Sequence, residues 1–467
     1  MEQVANTIEL KSILESWGVF IFSSAISILG LILSRIFKNY LISWISGGAS
    51  LFSLIIYSIF GKIVQEPFGV IITDKILFTS CLIISILGIV SLFVSFGELS
   101  AKEKLYPEYF FFLPLASIGG IIMTSSKDFL TLFISKEILS FPIYAMIYAL
   151  RDRFGVESAF KYFVSSAVLS LFYLLGLGLI FASSGNIAIT EPQGILGLLG
   201  LYLILFDLFF KAGIAPFHFW VPDVYQGAPS STVVFAGSVV KFSSFLAIMR
   251  IFDLTKQIQT PLLEVAVILS VIVGIFPALV QKELKRLIAY SSISHAGFIS
   301  LILFGIGNEE FKNFFIFYLA TYSIAFAGAF SILSLFKNTL INVEDISGFS
   351  RAHRFFATML TIFFISFAGL PPLAGFQGKY FAFITALSAG KILLVVISAA
   401  ASIASLYFYF LPLIKSFIEE PKTKAGFEFS INPAVGLITL LLSAITIYFG
   451  IRPHDLIILL EGIPLSF

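Results

Sequence analysis

Apolar segments of membrane-spanning length recur along almost the whole chain. A helix needs about 18–25 residues to cross roughly 30 Å of hydrocarbon. Fourteen candidate segments of approximately this length or longer occur, separated by short connections. They are residues 17–35, 41–63, 76–97, 109–124, 128–150, 157–182, 194–215, 229–252, 262–280, 285–305, 312–336, 354–386, 391–416 and 433–451. This pattern predicts an all-α polytopic membrane protein in which residues 1–467 form a single membrane domain.

The composition agrees with this class and excludes others. Hydrophobic residues make up 58% of the 467 residues and charged residues 12%, whereas a soluble domain carries about 25% charged residues. The net charge of +2 and the lack of a basic run give no basis for nucleic acid binding. Cys81 is the single cysteine, and no two of the four histidines are spaced i, i+4. We therefore expect no metal, iron–sulfur cluster or other cofactor bound by this chain.

The charges in the connections predict an orientation. Lys and Arg are more frequent in the odd-numbered connections than in the even-numbered ones and the two tails. Because positively charged connections stay on the cytoplasmic side, we expect both termini on the outer side of the cell membrane, that is, the cytoplasmic or inner membrane. Residues 1–16 are not basic, and the apolar segment that follows is long enough to span. The first helix is therefore expected to act as the targeting signal without being cleaved.

Five lysines lie inside the predicted helices. They are Lys136, Lys161, Lys211, Lys241 and Lys379. A lysine at membrane depth costs several kcal/mol, so it normally has a function or a partner. The alternative is that a lysine near a helix end extends its stem to the membrane surface. Burial favours the neutral form of a lysine, whereas a carboxylate such as that of Glu137 favours the charged form. Such a pair is able to bind and release protons.

Two of these lysines stand beside sequences that cannot continue a regular helix. Lys211 is followed by Gly-Ile-Ala-Pro at 213–216. Lys379 is preceded by Gly-Leu-Pro-Pro at 369–372. A helix broken inside a membrane protein exposes carbonyl groups that hold water and cations, and a pair of broken helices indicates a transport site. We predict transport roles for both lysines and for Lys241, which lies near the middle of its segment.

The other candidates have two interpretations each. Asp207 precedes Lys211 by one turn, so it is either a second counter-ion that competes with Glu137 for this lysine or an outward-facing or neutral aspartate. Lys161 follows Glu157 by four residues, so a transport role competes with a simple surface ion pair.

Lys136 and the histidines also leave alternatives open. Lys136 points about 100° away from Glu137 around the helix, which favours extension to the membrane surface or a local contact. His218 and His295 are either proton relays through water or hydrogen-bonded structural residues.

The residues around these candidates resemble those of a known family. Residues 216–229 read Pro-Phe-His-Phe-Trp-Val-Pro-Asp-Val-Tyr-Gln-Gly-Ala-Pro, and 285–293 read Lys-Arg-Leu-Ile-Ala-Tyr-Ser-Ser-Ile. Together with residues 369–379 they resemble the antiporter-like subunits of complex I type NADH:quinone oxidoreductases. The Asp-Val-Tyr-Gln-Gly-Ala-Pro string and a lysine at 379 resemble subunit N more than subunit M. The chain length argues against subunit L, which carries a long lateral helix.

The resemblance implies an architecture and a set of site residues. It implies fourteen helices, two of them broken, with two inverted five-helix repeats at 105–252 and 261–416. Five residues match the charged positions of the family: Glu137, Lys161, Lys211, Lys241 and Lys379. Asp207 and Lys136 do not belong to the family pattern.

The resemblance also implies a function and partners. The chain would move protons, driven by quinone reduction in neighbouring subunits of a complex that holds NADH, FMN, iron–sulfur clusters and quinone. Its partners would be subunits M, K and J, the lateral helix of L, and the lipid bilayer. The alternatives are a subunit of a multisubunit cation/proton antiporter and a scaffold that conducts nothing.

Overall fold

The computed structural model describes residues 2–61, 70–102, 104–255, 260–305, 307–337, 340–420 and 429–461. Over these residues the chain is almost entirely helical. The helices are α1 (Glu2–Ile36), α2 (Tyr40–Phe60), α3 (Lys75–Ala101), α4 (Pro107–Ser125), α5 (Phe129–Ile147), α6 (Arg153–Ser184), α7 (Gly194–Ala212), α8 (Trp220–Gly227), α9 (Ser230–Phe235), α10 (Lys241–Thr255), α11 (Thr260–Val280), α12 (Leu284–Ser300), α13 (Glu309–Leu333), α14 (Phe349–Ala352), α15 (Arg354–Ala368), α16 (Ala374–Ser388), α17 (Ile392–Phe417), α18 (Pro433–Ile451) and α19 (Pro453–Glu461). Short 3₁₀ turns cover Tyr148–Leu150, Leu301–Gly305 and Val343–Ile346.

The apolar segments of the sequence correspond to helices of spanning length. Among the described residues, thirteen helical segments are long and apolar enough to cross a membrane, and each matches one predicted segment. The last two positions of the segment 41–63 lie outside the described residues. The fourteenth segment, 354–386, is divided into α15 and α16, which have 15 residues each and are too short to span alone. The all-α polytopic fold is confirmed.

Both predicted helix breaks are present. α7 ends at Ala212, where Gly213 adopts a left-handed conformation with φ of 71°. α15 ends at Ala368, where Gly369 has φ of 77°. Glycine populates this region without the steric cost that a Cβ would bring, and it therefore terminates helices efficiently. The chain resumes as α8 after the first break and as α16 after the second.

Aspartate side chains mark the beginnings of several spanning helices. Asp74, Asp128 and Asp152 each accept a hydrogen bond from the backbone N–H three residues further on, at the starts of α3, α5 and α6. This contact satisfies one of the backbone donors that the first turn of a helix leaves free. The polar residues between apolar segments therefore help to define where each helix begins.

One helix occupies the centre of the bundle. α9 and α10 are joined by a π-helical turn, Ala236–Val240, into a continuous segment, Ser230–Thr255, that is buried along its apolar window. Its first turn is held by Glu98 of α3, whose carboxylate accepts hydrogen bonds from the backbone N–H groups of Ser230 (3.1 Å) and Ser231 (2.8 Å). By contrast, α1, α6 and α17 present long rows of exposed apolar side chains, as helices in contact with lipid do.

Candidate functional site

Four of the five candidate lysines are buried inside the bundle. The relative exposure is 0% for Lys136, 1% for Lys211, 2% for Lys241 and 4% for Lys379. Extension of these side chains to the membrane surface is therefore excluded. Lys161 differs, because 47% of its side chain is exposed.

Lys211 is held by hydroxyl groups of α6. Its Nζ donates hydrogen bonds to Ser166 Oγ (2.8 Å) and Tyr162 OH (3.4 Å), and it lies 4.8 Å from the centre of the Tyr162 ring. Within the described part of the chain, no carboxylate oxygen lies within 4.0 Å of Lys211 Nζ. The neighbours in direct contact with this ammonium group are therefore neutral.

The carboxylates near Lys211 pair with Lys136 instead. Lys136 Nζ lies 2.8 Å from Glu137 Oε1 and 2.8 Å from Asp207 Oδ2. Ser170 bridges the group, because its Oγ accepts from Lys136 (2.9 Å) and donates to Glu137 (2.7 Å). Asp207 is fully buried, so it is not outward-facing. The structure does not contain a direct ion pair between Asp207 and Lys211. Asp207 bonds Lys136 of α5, whereas Lys211 bonds Ser166 and Tyr162 of α6.

Lys161 takes part in a group of charges near the N-terminus of α6. Its Nζ lies 2.7 Å from Glu157 Oε1, which is the surface ion pair weighed above, and 2.9 Å from Asp223 Oδ2 on α8. Arg286 of α12 reaches the other oxygen of Asp223 at 2.8 Å. Asp223 therefore connects α6, α8 and α12, and Lys161 has two carboxylate partners.

Lys241 follows the π-helical turn of the central helix. Its Nζ donates to both the carbonyl oxygen and the Oγ of Ser292 on α12, each at 2.6 Å. The hydroxyl of Tyr322 on α13 donates to the same Ser292 Oγ at 2.8 Å. A π-helical turn shifts the register of the residues that follow it, and such turns are frequent at functional sites. Here it immediately precedes the lysine that it orients.

His295 lies between the central lysine and the second broken helix. Its Nδ1 is 3.0 Å from Tyr318 OH, and its Nε2 is 3.3 Å from Tyr409 OH. Its ring also packs against Tyr322, with 5.0 Å between the ring centres. Tyr322 in turn bonds the hydroxyl that holds Lys241, so His295 belongs to the surroundings of this lysine. His218 lies half-buried in the segment between α7 and α8.

Lys379 is bonded across the second break. Its Nζ donates to the carbonyl oxygen of Ala368 at 2.9 Å and to Ser402 Oγ of α17 at 2.8 Å. The ring of Phe298 lies 4.9 Å away on α12. The two breaks are thus used differently, because Lys211 precedes its break whereas Lys379 lies beyond its own and reaches back to the carbonyl that the break exposes.

Comparison with known proteins places these features in a family. Residues 126–405 match the model of the transmembrane region of NADH:quinone oxidoreductase and Mrp antiporter subunits. NADH-quinone oxidoreductase subunit 14 of Thermus thermophilus is 39% identical over 303 residues, which cover 65% of this chain and 69% of that protein. NADH-quinone oxidoreductase subunit N of Bdellovibrio bacteriovorus is 33% identical over 342 residues, which cover 69% of this chain and 70% of that protein. The chain belongs to the antiporter-like subunit N family of complex I. The prediction from the sequence strings is confirmed.

Solved structures agree with membership of the subunit N family. A chain of respiratory complex I from Thermus thermophilus superposes with a TM-score of 0.84 at 30% identity, covering 94% of this chain and 98% of that one. A chain of the Mrp complex from Dietzia sp. DQ12-45-1b reaches a TM-score of 0.83 at 18% identity, with 97% and 96% covered. The second likeness shows the fold alone. This chain is therefore a multi-pass membrane protein of a respiratory oxidoreductase complex.

Several residues around the lysines had no distinctive signal in the sequence. Ser166, Ser292 and Ser402 each hold one lysine, but a serine in an apolar helix usually bonds its own backbone. One signal was available on α6, where Tyr162, Ser166 and Ser170 recur every four residues and so share a face. Among the residues that the structure describes, no cluster of three or more His, Cys, Asp or Glu side chains forms a potential metal site.

Proposed function

We propose that this chain is a proton-translocating subunit of an NADH:quinone oxidoreductase, acting as a translocase without a redox centre of its own. The observation that carries the proposal is the bonding of Lys211, Lys241 and Lys379. All three are buried, and their hydrogen bonds go to hydroxyl and carbonyl oxygens. An ammonium group held by neutral acceptors can lose its proton without leaving an unpaired carboxylate in the membrane.

Protons enter near Lys211, pass through water to Lys241 and leave by Lys379. Between the first two lysines lies the aromatic helix α8, whose Tyr225 OH is 3.4 Å from the Ser292 Oγ that holds Lys241. Between the second and third lies His295 with its tyrosine partners, which supports a relay role for this histidine. His218, in the first break, is proposed as a second relay.

Glu137 controls the first step by its distance from Lys211. A carboxylate close to an ammonium group favours the charged form, so movement of Glu137 changes the proton affinity of Lys211. Lys161, which matches a lysine position of the family, is proposed to contribute through its ion pair with Asp223, the residue that joins α6 to α8. Asp207 acts within the same group of charges.

The driving reaction takes place in neighbouring subunits. NADH, FMN, iron–sulfur clusters and quinone belong to the assembled complex, and this chain is proposed to bind none of them. The proposed partners are the membrane subunits M, K and J and the lateral helix of L. The chain is proposed to lie in the cytoplasmic or inner membrane with both termini outside, and to contain two inverted five-helix repeats at 105–252 and 261–416.

A multisubunit cation/proton antiporter is the second candidate. Its support is the similar fold of the Mrp complex chain, at only 18% identity. The relative named as a complex I subunit is 39% identical and favours the first candidate. The two functions differ in a measurable way, because only the first requires quinone reduction.

The experiment is Lys241→Ala in the assembled complex, reconstituted in membrane vesicles. We expect proton pumping and quinone reductase rate to fall together while assembly is intact, because Lys241 lies in the middle of the path. Lys391→Ala is the matched control, since Lys391 is a half-buried lysine at the start of α17 that pairs with Glu264 at 2.7 Å. Unchanged pumping and rate in Lys241→Ala would make the central lysine structural and would overturn the proposal.

A further inference from the structure

Lys136 and Asp207 form an ion pair beside the proposed path from Lys211 through Lys241 to Lys379. Both side chains have 0% exposure, and Lys136 Nζ lies 2.8 Å from Asp207 Oδ2. They come from different helices, α5 and α7. Moving two charges out of water is expensive, and their attraction offsets this only when the geometry is good and further hydrogen bonds satisfy them. A pair of this kind at membrane depth calls for an explanation in terms of function.

The pair holds the carboxylate that regulates Lys211. Lys136 Nζ is also 2.8 Å from Glu137 Oε1, and Ser170 bonds to both residues. The Glu137 carboxylate is therefore held by Lys136 and by Ser170 of α6, and not by Lys211. Its side chain is 19% exposed, so it has more space around it than the fully buried Asp207.

Lys211 lies one helical turn away from this group. It bonds Ser166, which is four residues before Ser170 on the same face of α6. Lys211 is close enough to Lys136, Asp207 and Glu137 to interact with all of them electrostatically. Glu137 thus has two possible partners: one lysine that is already paired with Asp207, and one that is bonded to hydroxyl groups.

We propose that Lys136 and Asp207 are a positioning pair that competes with Lys211 for Glu137. With Glu137 on Lys136, Lys211 is left with neutral neighbours and releases its proton. With Glu137 on Lys211, the proton is retained, and Asp207 keeps the charge of Lys136 compensated. The pair thereby allows Glu137 to move to Lys211 without leaving the buried charge of Lys136 unpaired. This inference rests on the proposed function of Lys211.

While Lys211 is protonated, the charges around Glu137 balance in either position of this carboxylate. The titratable groups around Glu137 on α5, α6 and α7 are Lys136, Asp207, Lys211, Tyr144 and Tyr162. Tyr173 lies beside Lys136 and Asp207. Tyr173 OH donates to the Phe129 carbonyl and so stays outside the exchange. Two ammonium groups and two carboxylates remain, and removal of Lys136 and Asp207 together leaves the balance unchanged.

The test is the double variant Lys136→Met/Asp207→Asn in the assembled complex, with proton pumping in vesicles measured against pH. Without the competing pair, Glu137 remains on Lys211, which then holds its proton to higher pH. We expect lower pumping at neutral pH and a shift of the half-maximal pH upward by about one unit. In Asp207→Asn alone, Glu137 is the one carboxylate left to pair with Lys136. It therefore stays away from Lys211, and we expect the half-maximal pH of pumping to shift downward.

The control is Lys391→Met/Glu264→Gln, which removes an ion pair of the same chemistry at the bundle surface and is expected to leave the profile unchanged. In a Glu137→Gln background, the double substitution should have no further effect, because it acts through Glu137. If the double variant and Asp207→Asn keep the parental profile while Glu137→Gln is impaired, the pair is structural and this inference alone is wrong. If Glu137→Gln and Lys211→Ala also pump normally, the proposed function fails as well.

Discussion

The ammonium nitrogen of Lys379 donates a hydrogen bond of 2.9 Å to the carbonyl oxygen of Ala368, the last residue before the second helix break. A helix leaves its last four carbonyl groups without intrahelical partners. Gly369 turns the chain away at this point with φ of 77°. A Cβ added to it would lie 2.6 Å from Lys379 Cδ. The break therefore supplies the carbonyl that accepts from Lys379, and the glycine at the break leaves the space that the Lys379 side chain occupies.

We predict that Gly369→Ala slows proton pumping more than Gly185→Ala does, although the two variants lower the thermal unfolding midpoint by similar amounts. The left-handed conformation costs an alanine about 1–2 kcal/mol, and the new methyl group displaces Lys379 from the Ala368 carbonyl. The measurement is pumping in vesicles together with thermal unfolding of the purified complex. Gly185→Ala is the control, because Gly185 also has a positive φ, of 67°, but has nothing within 4 Å of its Cβ position. Equal pumping in the two variants would contradict the prediction.

We predict that Ser292→Ala slows translocation at the central lysine. The substitution removes the hydroxyl that accepts hydrogen bonds from Lys241 and Tyr322, but leaves the carbonyl that also holds Lys241. A lost hydrogen bond of about 1 kcal/mol corresponds to a roughly fivefold lower pumping rate.

The matched control for this variant is Ser300→Ala on the same helix. Ser300 is also fully buried, but its hydroxyl donates to the Ala296 carbonyl within the helix. We expect this variant to pump normally. Equal losses in Ser292→Ala and Ser300→Ala would mean that the effect comes from the packing of α12 and not from the contact with Lys241.

The helices and their breaks were predictable because they depend on local rules. An apolar segment of spanning length has few alternatives to a helix in a membrane. Gly213 and Gly369 terminate helices by their own conformational freedom. The segment 354–386 shows the limit of the length rule, because its apolar residues continue through the break and only Gly-Leu-Pro-Pro at 369–372 indicates the division into α15 and α16.

The partners of the buried charges were less predictable. Asp207 and Lys211 have a spacing that allows contact on one helix, yet Asp207 bonds Lys136 on another. The choice depends on how α5 is rotated against α7, which no local pattern specifies. The same holds for Ser292 and Tyr322, which meet Lys241 from two further helices.

Asp223 lies on α8, outside the thirteen apolar spans of the described chain, and joins this helix to α6 and α12. Burial alone would raise the pKa of its carboxyl, but hydrogen bonds and charge from Lys161 and Arg286 outweigh burial and hold the pKa below its usual range. A carboxyl with a depressed pKa stabilises the folded state above its unfolded pKa of about 4, and this contribution is lost as the pH falls through the folded value.

We therefore predict that Asp223→Asn lowers the thermal unfolding midpoint of the purified complex at pH 7. The expected decrease is about 2–4 °C, which corresponds to a loss of about 1 kcal/mol. The difference should shrink as the pH falls from about 4 through the lower folded-state pKa of Asp223, where the carboxyl becomes protonated in the folded parental protein as well. Glu157→Gln is the control, since it removes the other carboxylate partner of Lys161 but leaves the bond between Asp223 and Arg286 intact. A difference that stayed constant between pH 7 and pH 3 would show that the ionised carboxylate is not what holds α6, α8 and α12 together.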